Sequence, residues 1–208
     1  MRLQQLKPSQ RVQGRWLAQM EDGTLLRISE HEVIQFSLYE GKELEQEIVE
    51  QLQQSAHTSK LKEKALQLLA AKPVSRRDLK QKLISWEAGE GEAEEICQRL
   101  EELGLLNDRE YGAMLVGHYL RKGYGQGRLK EELYRRGVPR ELWDEILEQS
   151  EQSDDVLDAL IAKKLKGTVP QTPREWKKVS DALLRRGYSW SEVSQALRRY
   201  GAEMEESY

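Results

Sequence analysis

A chain of 208 residues with 38% hydrophobic side chains and 33% charged ones is long enough for one large domain or several small ones, but too lean in apolar residues for one thick globule. The single cysteine, Cys97, excludes an intrachain disulfide and a cysteine-based metal site. Met1 to Gln10 lacks the apolar core of a signal peptide and no run nears the roughly 20 apolar residues of a membrane span, so a cytoplasmic protein with no membrane partner is expected.

The net charge of -3 argues against a general nucleic-acid binder, yet the average conceals an asymmetry. Glu40 to Glu50 is acidic. Arg121 to Arg140 is basic, with Arg121, Lys122, Arg128, Lys130, Arg135, Arg136 and Arg140 set against Glu131 and Glu132. A partner responds to such local charge over a screening length of about 10 Å.

Strand character is confined to the N-terminal region. Val12, Gly14, Trp16, Ala18 and Met20 alternate with longer polar or apolar residues, Asp22-Gly23 marks a turn, and Thr24 to Ile28 returns as a second β-prone run. That pattern predicts a hairpin, which must pack on something to be stable. Ser29-x-x-Glu32 reads as a capping box opening a short helix that Gly41 breaks. A connecting helix follows, with Leu44, Ile48 and Leu52 on one face.

From Lys60 onward the periodicity is helical throughout. Leu61, Ala65, Leu68 and Leu69 form a stripe ending before Pro73, and Ser75-x-x-Asp78 starts a helix carrying Leu79, Leu83 and Trp86. Ile96, Leu100 and Leu103 mark a third helix, stopped by Gly104. Asn107-x-x-Glu110 caps a fourth, with Tyr111, Met114, Leu115 and His118 along one face and Gly123 at its end. Arg128 to Arg136 is a fifth, closed by Gly137; a sixth runs from Pro139 through Ile146. Ser153 opens a seventh, Thr172-Pro173-x-Glu175 caps an eighth that ends at Gly187, and Ser189-x-x-Glu192 caps a ninth ending at Gly201.

The second helices repeat at a spacing of 50. Leu79-Lys80-Gln81-Lys82-Leu83 aligns with Leu129 to Leu133 and with Val179 to Leu183, and Leu133-x-Arg135-Arg136-Gly137 recurs as Leu183-x-Arg185-Arg186-Gly187. The chain therefore reads as mainly α: three tandem three-helix repeats in an elongated, curved chain, preceded by a small β hairpin. The divisions are 1–42 (hairpin and short helix), 43–58 (connecting helix), 59–106, 107–152 and 153–208 (repeats one to three).

Three such units, Leu106-Asn107-Asp108 opening the second, Gly123-x-Gly125 followed by Leu129, Leu133, Gly137 and Val138, and Ser75-Arg76-Arg77-Asp78-Leu79 in the first together resemble the RecX family. The hairpin resembles the extension on its longer members. The resemblance implies a non-enzymatic regulator, without a cofactor of its own, that lies in the groove of a RecA filament on single-stranded DNA. It would span neighbouring RecA subunits and modulate, mostly inhibit, strand exchange, ATP hydrolysis and repressor cleavage in DNA repair and the SOS response. It would act as a monomer with weak direct contact to DNA.

The residues themselves point to an interaction surface and away from catalysis. His31, His57 and His118 stand apart at no metal or triad spacing; His118 is expected as a core histidine and Cys97 as a small buried hydrophobe. Gly123-Tyr124-Gly125-Gln126-Gly127 follows a helix and lacks Gly-Lys-Ser/Thr, so it reads as an interhelix connector, with a backbone contact surface as the other reading. Trp86, Trp143, Trp176 and Trp190 are assigned to packing, whereas Tyr124 and Tyr188 sit in connectors where a ring can face a partner. Arg135-Arg136 and Arg185-Arg186 occupy equivalent helix ends. There they either complement the helix dipole or form a basic ladder along one edge, joined by Arg121, Lys122 and Arg128. Arg121, Lys122, Tyr124, Arg128, Lys130, Arg135, Arg136, Arg185 and Arg186 are thus the candidate partner-binding residues. Two rival readings are a helical DNA-binding protein acting independently of RecA and an inert scaffold.

Overall fold

The computed structural model describes the chain except residues 11, 150–153, 167, 171, 207 and 208, and at 154 and 202–206 it describes the backbone alone. Two compact units emerge, residues 1–73 with 79–103, and residues 74–78 with 104–208.

In the first unit the expected hairpin forms as β2 (Arg15–Met20) and β3 (Leu25–Ser29), paired so that Trp16 opposes Ile28 and Ala18 opposes Leu26. The Asp22 carboxylate accepts from the Thr24 N–H and hydroxyl at 2.9 and 2.8 Å. Gly23 turns the chain at φ +87, where a side chain would be strained. A third strand that the sequence reading does not assign, β1 (Leu3–Pro8), runs antiparallel to β2. Leu3 and Leu6 are three residues apart and violate strict alternation, but the register shift between Leu3 and Gln5 brings them opposite Met20 and Ala18. Leu3, Ala18, Met20 and Ile28 then bury one sheet face against Leu38, Leu44, Val49 and Leu52.

The Ser29 capping box opens α1 (Glu30–Gln35), as its sequence predicts, but α1 ends before Ser37, which takes φ +46; Gly41 lies beyond the helix. Glu32 is only 1% exposed. Its carboxylate accepts the Ser29 N–H at 2.5 Å and the Ser55 and Ser59 hydroxyls at 3.0 and 2.5 Å, which fastens α1 to α2 (Gln46–Ala71). Burial raises the pKa of this carboxyl, but those hydrogen bonds outweigh burial and hold it below the ordinary value. The 26 residues of α2 run unbroken through 58 and 59, so the connecting helix and the first helix of the first repeat are one element. Then α3 (Arg76–Ser85) and α4 (Glu90–Glu102) follow, tied by the Lys80–Glu94 ion pair at 2.7 Å, with Leu79, Leu83, Ile96, Cys97 and Leu100 buried.

The second unit continues with α5 (Asp108–Arg121), α6 (Gln126–Arg135), a 3-10 turn at Arg140–Leu142 and α7 (Trp143–Glu148). Asn107 caps α5 by accepting the N–H groups of Arg109 and Glu110. Tyr111, Leu115, Val116, Leu129, Leu133, Val138 and Ile146 form the second repeat's core. The third repeat is α8 (Asp154–Leu165), α9 (Pro173–Leu184), opened by the Thr172–Glu175 capping box, and α10 (Trp190–Glu206) around Leu157, Ile161, Val179, Leu183, Tyr188, Val193 and Leu197. Ser153, expected to open α8, lies outside the described residues. Helix α10 passes through Gly201 rather than stopping there, since a helical glycine costs about 1 kcal/mol and does not by itself end a helix. The fold is thus mainly helical, with a three-stranded N-terminal sheet.

Leu133 is fully buried at the centre of the second repeat's core. Replacing it with alanine is expected to lower unfolding free energy by about 2–5 kcal/mol. Chemical denaturation measures this, and a loss below about 1 kcal/mol would show that the core collapses into the space.

Candidate functional site

The second helices of the repeats meet end to end. The N-terminus of α6 donates from the Gly125 N–H to the Arg186 carbonyl and from the Gly127 N–H to the Gly187 carbonyl, both at 2.9 Å. First-turn amides and last-turn carbonyls have no partners within their own helices, so the two ends satisfy each other and oppose unlike dipole poles. The approach is backbone against backbone. A Cβ on Gly125 would lie 2.5 Å from the Tyr188 nitrogen, and one on Gly187, whose φ is +89, would overlap the Arg128 backbone. The glycine-rich connector is therefore a contact surface, but its partner is the next repeat of the same chain.

An equivalent junction lies 50 residues earlier, built with a side chain. Arg77 matches Gly127 in the repeat, and it donates from Nη1 and Nη2 to the carbonyls of Tyr134 and Arg135 at the end of α6, at 3.3 and 2.6 Å. Gly137, at φ +75, leaves the space that this guanidinium fills.

Beside the α6–α9 contact, aromatic rings and cations gather at the C-terminus of α5. Arg186 Nη1 donates to the carbonyls of Lys122 and Gly123 at 2.9 and 3.2 Å, and its guanidinium carbon sits 5.4 Å from the Tyr124 ring centre. Tyr124 meets Tyr119 edge to face at 5.6 Å, Tyr119 meets His118 in the same way at 5.4 Å, and the Lys122 ammonium lies 5.8 Å from the Tyr119 ring. Tyr119 also helps to stabilise the charged form of Glu132.

Glu132 is an acid within the basic stretch. It is 1% exposed, and its carboxylate lies 2.8 Å from Arg128 Nη2 and 2.5 Å from Arg135 Nη2. Burial raises its pKa, but hydrogen bonds from Arg135 and Tyr119 and the charges of Arg135 and Arg128 prevail and hold it below the ordinary value. Arg128 also pairs with Glu131 at 2.7 Å. Along α6, Arg128 and Arg135 are thus neutralised by Glu131 and Glu132.

The nine candidate residues consequently divide. Lys122, Tyr124 and Arg186 come together; Arg128 and Arg135 are brought together by Glu132. Arg121, Lys122, Lys130, Arg136 and Arg185 are exposed and form no ion pair among the described residues. Arg186 does not extend a ladder outward, because the junction draws it onto the second repeat. Tyr188 is 4% exposed and belongs to the third repeat's core, not to a partner-facing surface. His118 is exposed rather than buried: on α5 it stands beyond the apolar stripe, beside Tyr119. Trp143, which donates its indole N–H to the Val138 carbonyl at 3.0 Å, packs as expected, as does Trp176, whereas Trp190 is 64% exposed. Sequence reasoning missed Tyr119, the ring that links the two groups. Its signal was the spacing of Tyr119 and Tyr124 about Lys122-Gly123.

Helices that follow in threes with a 50-residue period define a protein built from three-helix repeats. Residues 107–147 match the family model described as RecX, second three-helix domain, and residues 151–197 match RecX, third three-helix domain. A regulatory protein RecX of Trichlorobacter lovleyi is 35% identical over 130 residues, covering 60% of this chain and 84% of that protein. One from Streptomyces coelicolor is 33% identical over 128 residues, covering 60% and 68%. A crystal structure of regulatory protein RecX superposes with a TM-score of 0.73 over 94% of this chain and 98% of that one, at 23% identity; RecX from Lactobacillus salivarius gives 0.58 over 70% and 97%, at 21%. The chain belongs to the RecX family of regulatory proteins. Among the described residues, no helix is long and apolar enough to cross a membrane, and no three His, Cys, Asp or Glu side chains are grouped to hold a metal ion.

Two outcomes follow from the junction and from Glu132. Gly125→Ala is expected to lower the thermal midpoint, because the new methyl meets backbone; Gly117→Ala, where the methyl meets only Arg121 at an ordinary 3.6 Å, should raise stability by about 0.5–1 kcal/mol. Calorimetry of the two variants checks the contrast, and equal effects would remove the close approach as a constraint. Glu132 titrates below its ordinary value of 4.5 when folded. Its ionised form therefore contributes stability that is fully present above about pH 4.5 and is lost as the pH falls through the folded-state value. Glu132→Gln should flatten that part of the acid limb in stability measured from pH 7 to pH 3.

Proposed function

We propose that this chain regulates RecA by binding the RecA filament on single-stranded DNA, modulating and mostly inhibiting its recombinase, ATPase and coprotease activities. Membership of the RecX family is the observation that carries this reading, and the distribution of charge in the second and third repeats supports it. Arg121, Lys122, Lys130, Arg136 and Arg185 are cations that the fold leaves uncompensated, while it neutralises Arg128 and Arg135. Uncompensated exposed cations contribute little to folding and are available to an acidic protein surface or to phosphate. Binding makes no use of a cofactor; ATP turnover belongs to the filament. The nine sequence-selected residues remain the proposed contact region, with the exposed five making intermolecular contact and Arg128, Arg135, Arg186 and Tyr124 shaping the surface.

The test is to add the purified protein to preformed RecA–DNA filaments and follow co-sedimentation and ATP hydrolysis together. Reversing Arg121, Lys122 and Arg136 to glutamate is expected to weaken retention about tenfold or more and to relieve inhibition, with helicity and melting nearly unchanged. Raising salt should weaken the wild type more steeply than the variant. Unchanged inhibition by the variant would remove these cations from the mechanism. Equal affinity of the wild type for naked single strands and for RecA-coated ones would favour a DNA-binding protein independent of RecA.

A further inference from the structure

The first unit carries a second concentration of cations, on elements outside the surface described above. Lys60 and Lys64 stand one turn apart on α2 and form a ridge between two depressions. On one side is a cleft of about 530 Å³ between α2 and the sheet, to which Arg15 and Arg27 contribute. On the other is a smaller cleft of about 270 Å³, lined by His57, Ser85, Trp86 and Glu87. The Lys64 ammonium lies 5.2 Å from the Trp86 ring centre, and that ring is half-buried. His57 Nε2 is 3.3 Å from the Glu87 carbonyl oxygen, which holds the loop bearing Trp86 against α2.

Charge in the two clefts is lopsided. The residues lining them include four cations and two carboxylates, Glu63 and Glu87, and Glu63 is paired with Arg15. Arg27 and Lys60 are exposed and form no ion pair among the described residues. The core of the unit does not require these charges: Lys60 and Lys64 lie off the buried stripe of Val49, Leu52, Ala56, Leu61 and Ala65.

We infer that this ridge is a binding site for single-stranded nucleic acid. The phosphate backbone lies over Lys60 and Lys64 towards Arg27, and a base enters the smaller cleft to stack on Trp86. Cations that track a backbone beside an aromatic platform are the elements that bind unpaired strands without sequence preference. A duplex presents phosphates but keeps its bases stacked inside, and so gains nothing from Trp86. The overall charge of -3 opposes the contact only weakly, because charges beyond about 10 Å are screened at ordinary ionic strength. This inference does not depend on the RecA reading, since its ligand is the naked strand.

Fluorescence anisotropy of a labelled 20-nucleotide oligo-dT with the full-length protein tests it. Binding is expected at low salt, and three phosphate contacts give a slope of log affinity against log salt of about -2. Lys60→Glu/Lys64→Glu, and the milder Lys60→Gln/Lys64→Gln, should weaken binding about tenfold and flatten the slope by about 1.4, with helicity preserved by circular dichroism. Trp86→Ala should weaken it at least about fivefold, and Trp86→Phe should restore most of that loss. The naked strand is the ligand here and the RecA-coated strand is the ligand of the filament reading, so failure of binding in this assay leaves retention on filaments untouched, and the two failures are distinguishable. Absence of wild-type binding, unchanged binding by either lysine pair, an unaffected Trp86→Ala, or an equally tight duplex of the same length would each overturn the site.

Discussion

The arrangement of the second and third repeats depends on one contact, the meeting of the α6 amides with the α9 carbonyls at Gly125, Gly127 and Gly187. Helix ends are polar and must find partners, and here each end is the other's cap. Because backbone touches backbone, Gly125 and Gly187 leave no room for a Cβ, and one on Gly127 would press on the Gly187 carbonyl. The rest of the local structure follows. Tyr188, next to Gly187, turns into the third repeat's core, and Arg186 is held across the end of α5, over Tyr124. The preceding junction solves the same problem differently, with the Arg77 guanidinium in place of amides and Gly137 yielding the room. A repeat can thus keep its geometry while exchanging the chemical means of making it.

That contact settles the role of Arg186, and the buried Glu132 settles that of Arg135. Equivalent arginines at equivalent helix ends do not have equivalent roles: Arg186 is spent on carbonyls of the second repeat, Arg135 on the buried Glu132, and Arg136 and Arg185 stay in solvent. Glu132 is buried between two guanidiniums and within reach of Tyr119, so it remains charged despite its burial. It reduces the positive charge of the stretch and at the same time orients Arg128 and Arg135. The surface available to an acidic partner is consequently more selective than a count of basic residues implies.

A different device holds the N-terminal unit together. Glu32 gathers a backbone amide and two serine hydroxyls from α2, so a single buried carboxylate positions α1 and the end of the sheet against the long helix. The same placement brings Arg27 across from Lys60 and Lys64 around one cleft. The helix and sheet that bury Leu52 and Ile28 on their inner faces thereby present cations on their rims. Core and charge distribution are two consequences of one packing.

Much of this was determined by the sequence alone. Helix stripes, the Ser29 and Thr172 capping boxes, the Asn107 cap and the 50-residue period are local or repeating signals, and local backbone preference decides them. The resemblance carried by Leu106-Asn107-Asp108 and the glycine connector led to the correct family for the same reason. Strand β1 escaped because a bulge breaks the two-residue alternation by which a strand is recognised. His118 and Tyr188 were misassigned because helical periodicity gives a direction around an axis and not what stands there: α5 has solvent beside His118, and the junction pulls Tyr188 inward. Only the tertiary structure could decide which arginines are free, since pairing depends on a through-space distance of a few ångströms between Glu132, Tyr119 and two guanidiniums. Spacing along the chain leaves that distance open; packing of α5 against α6 sets it.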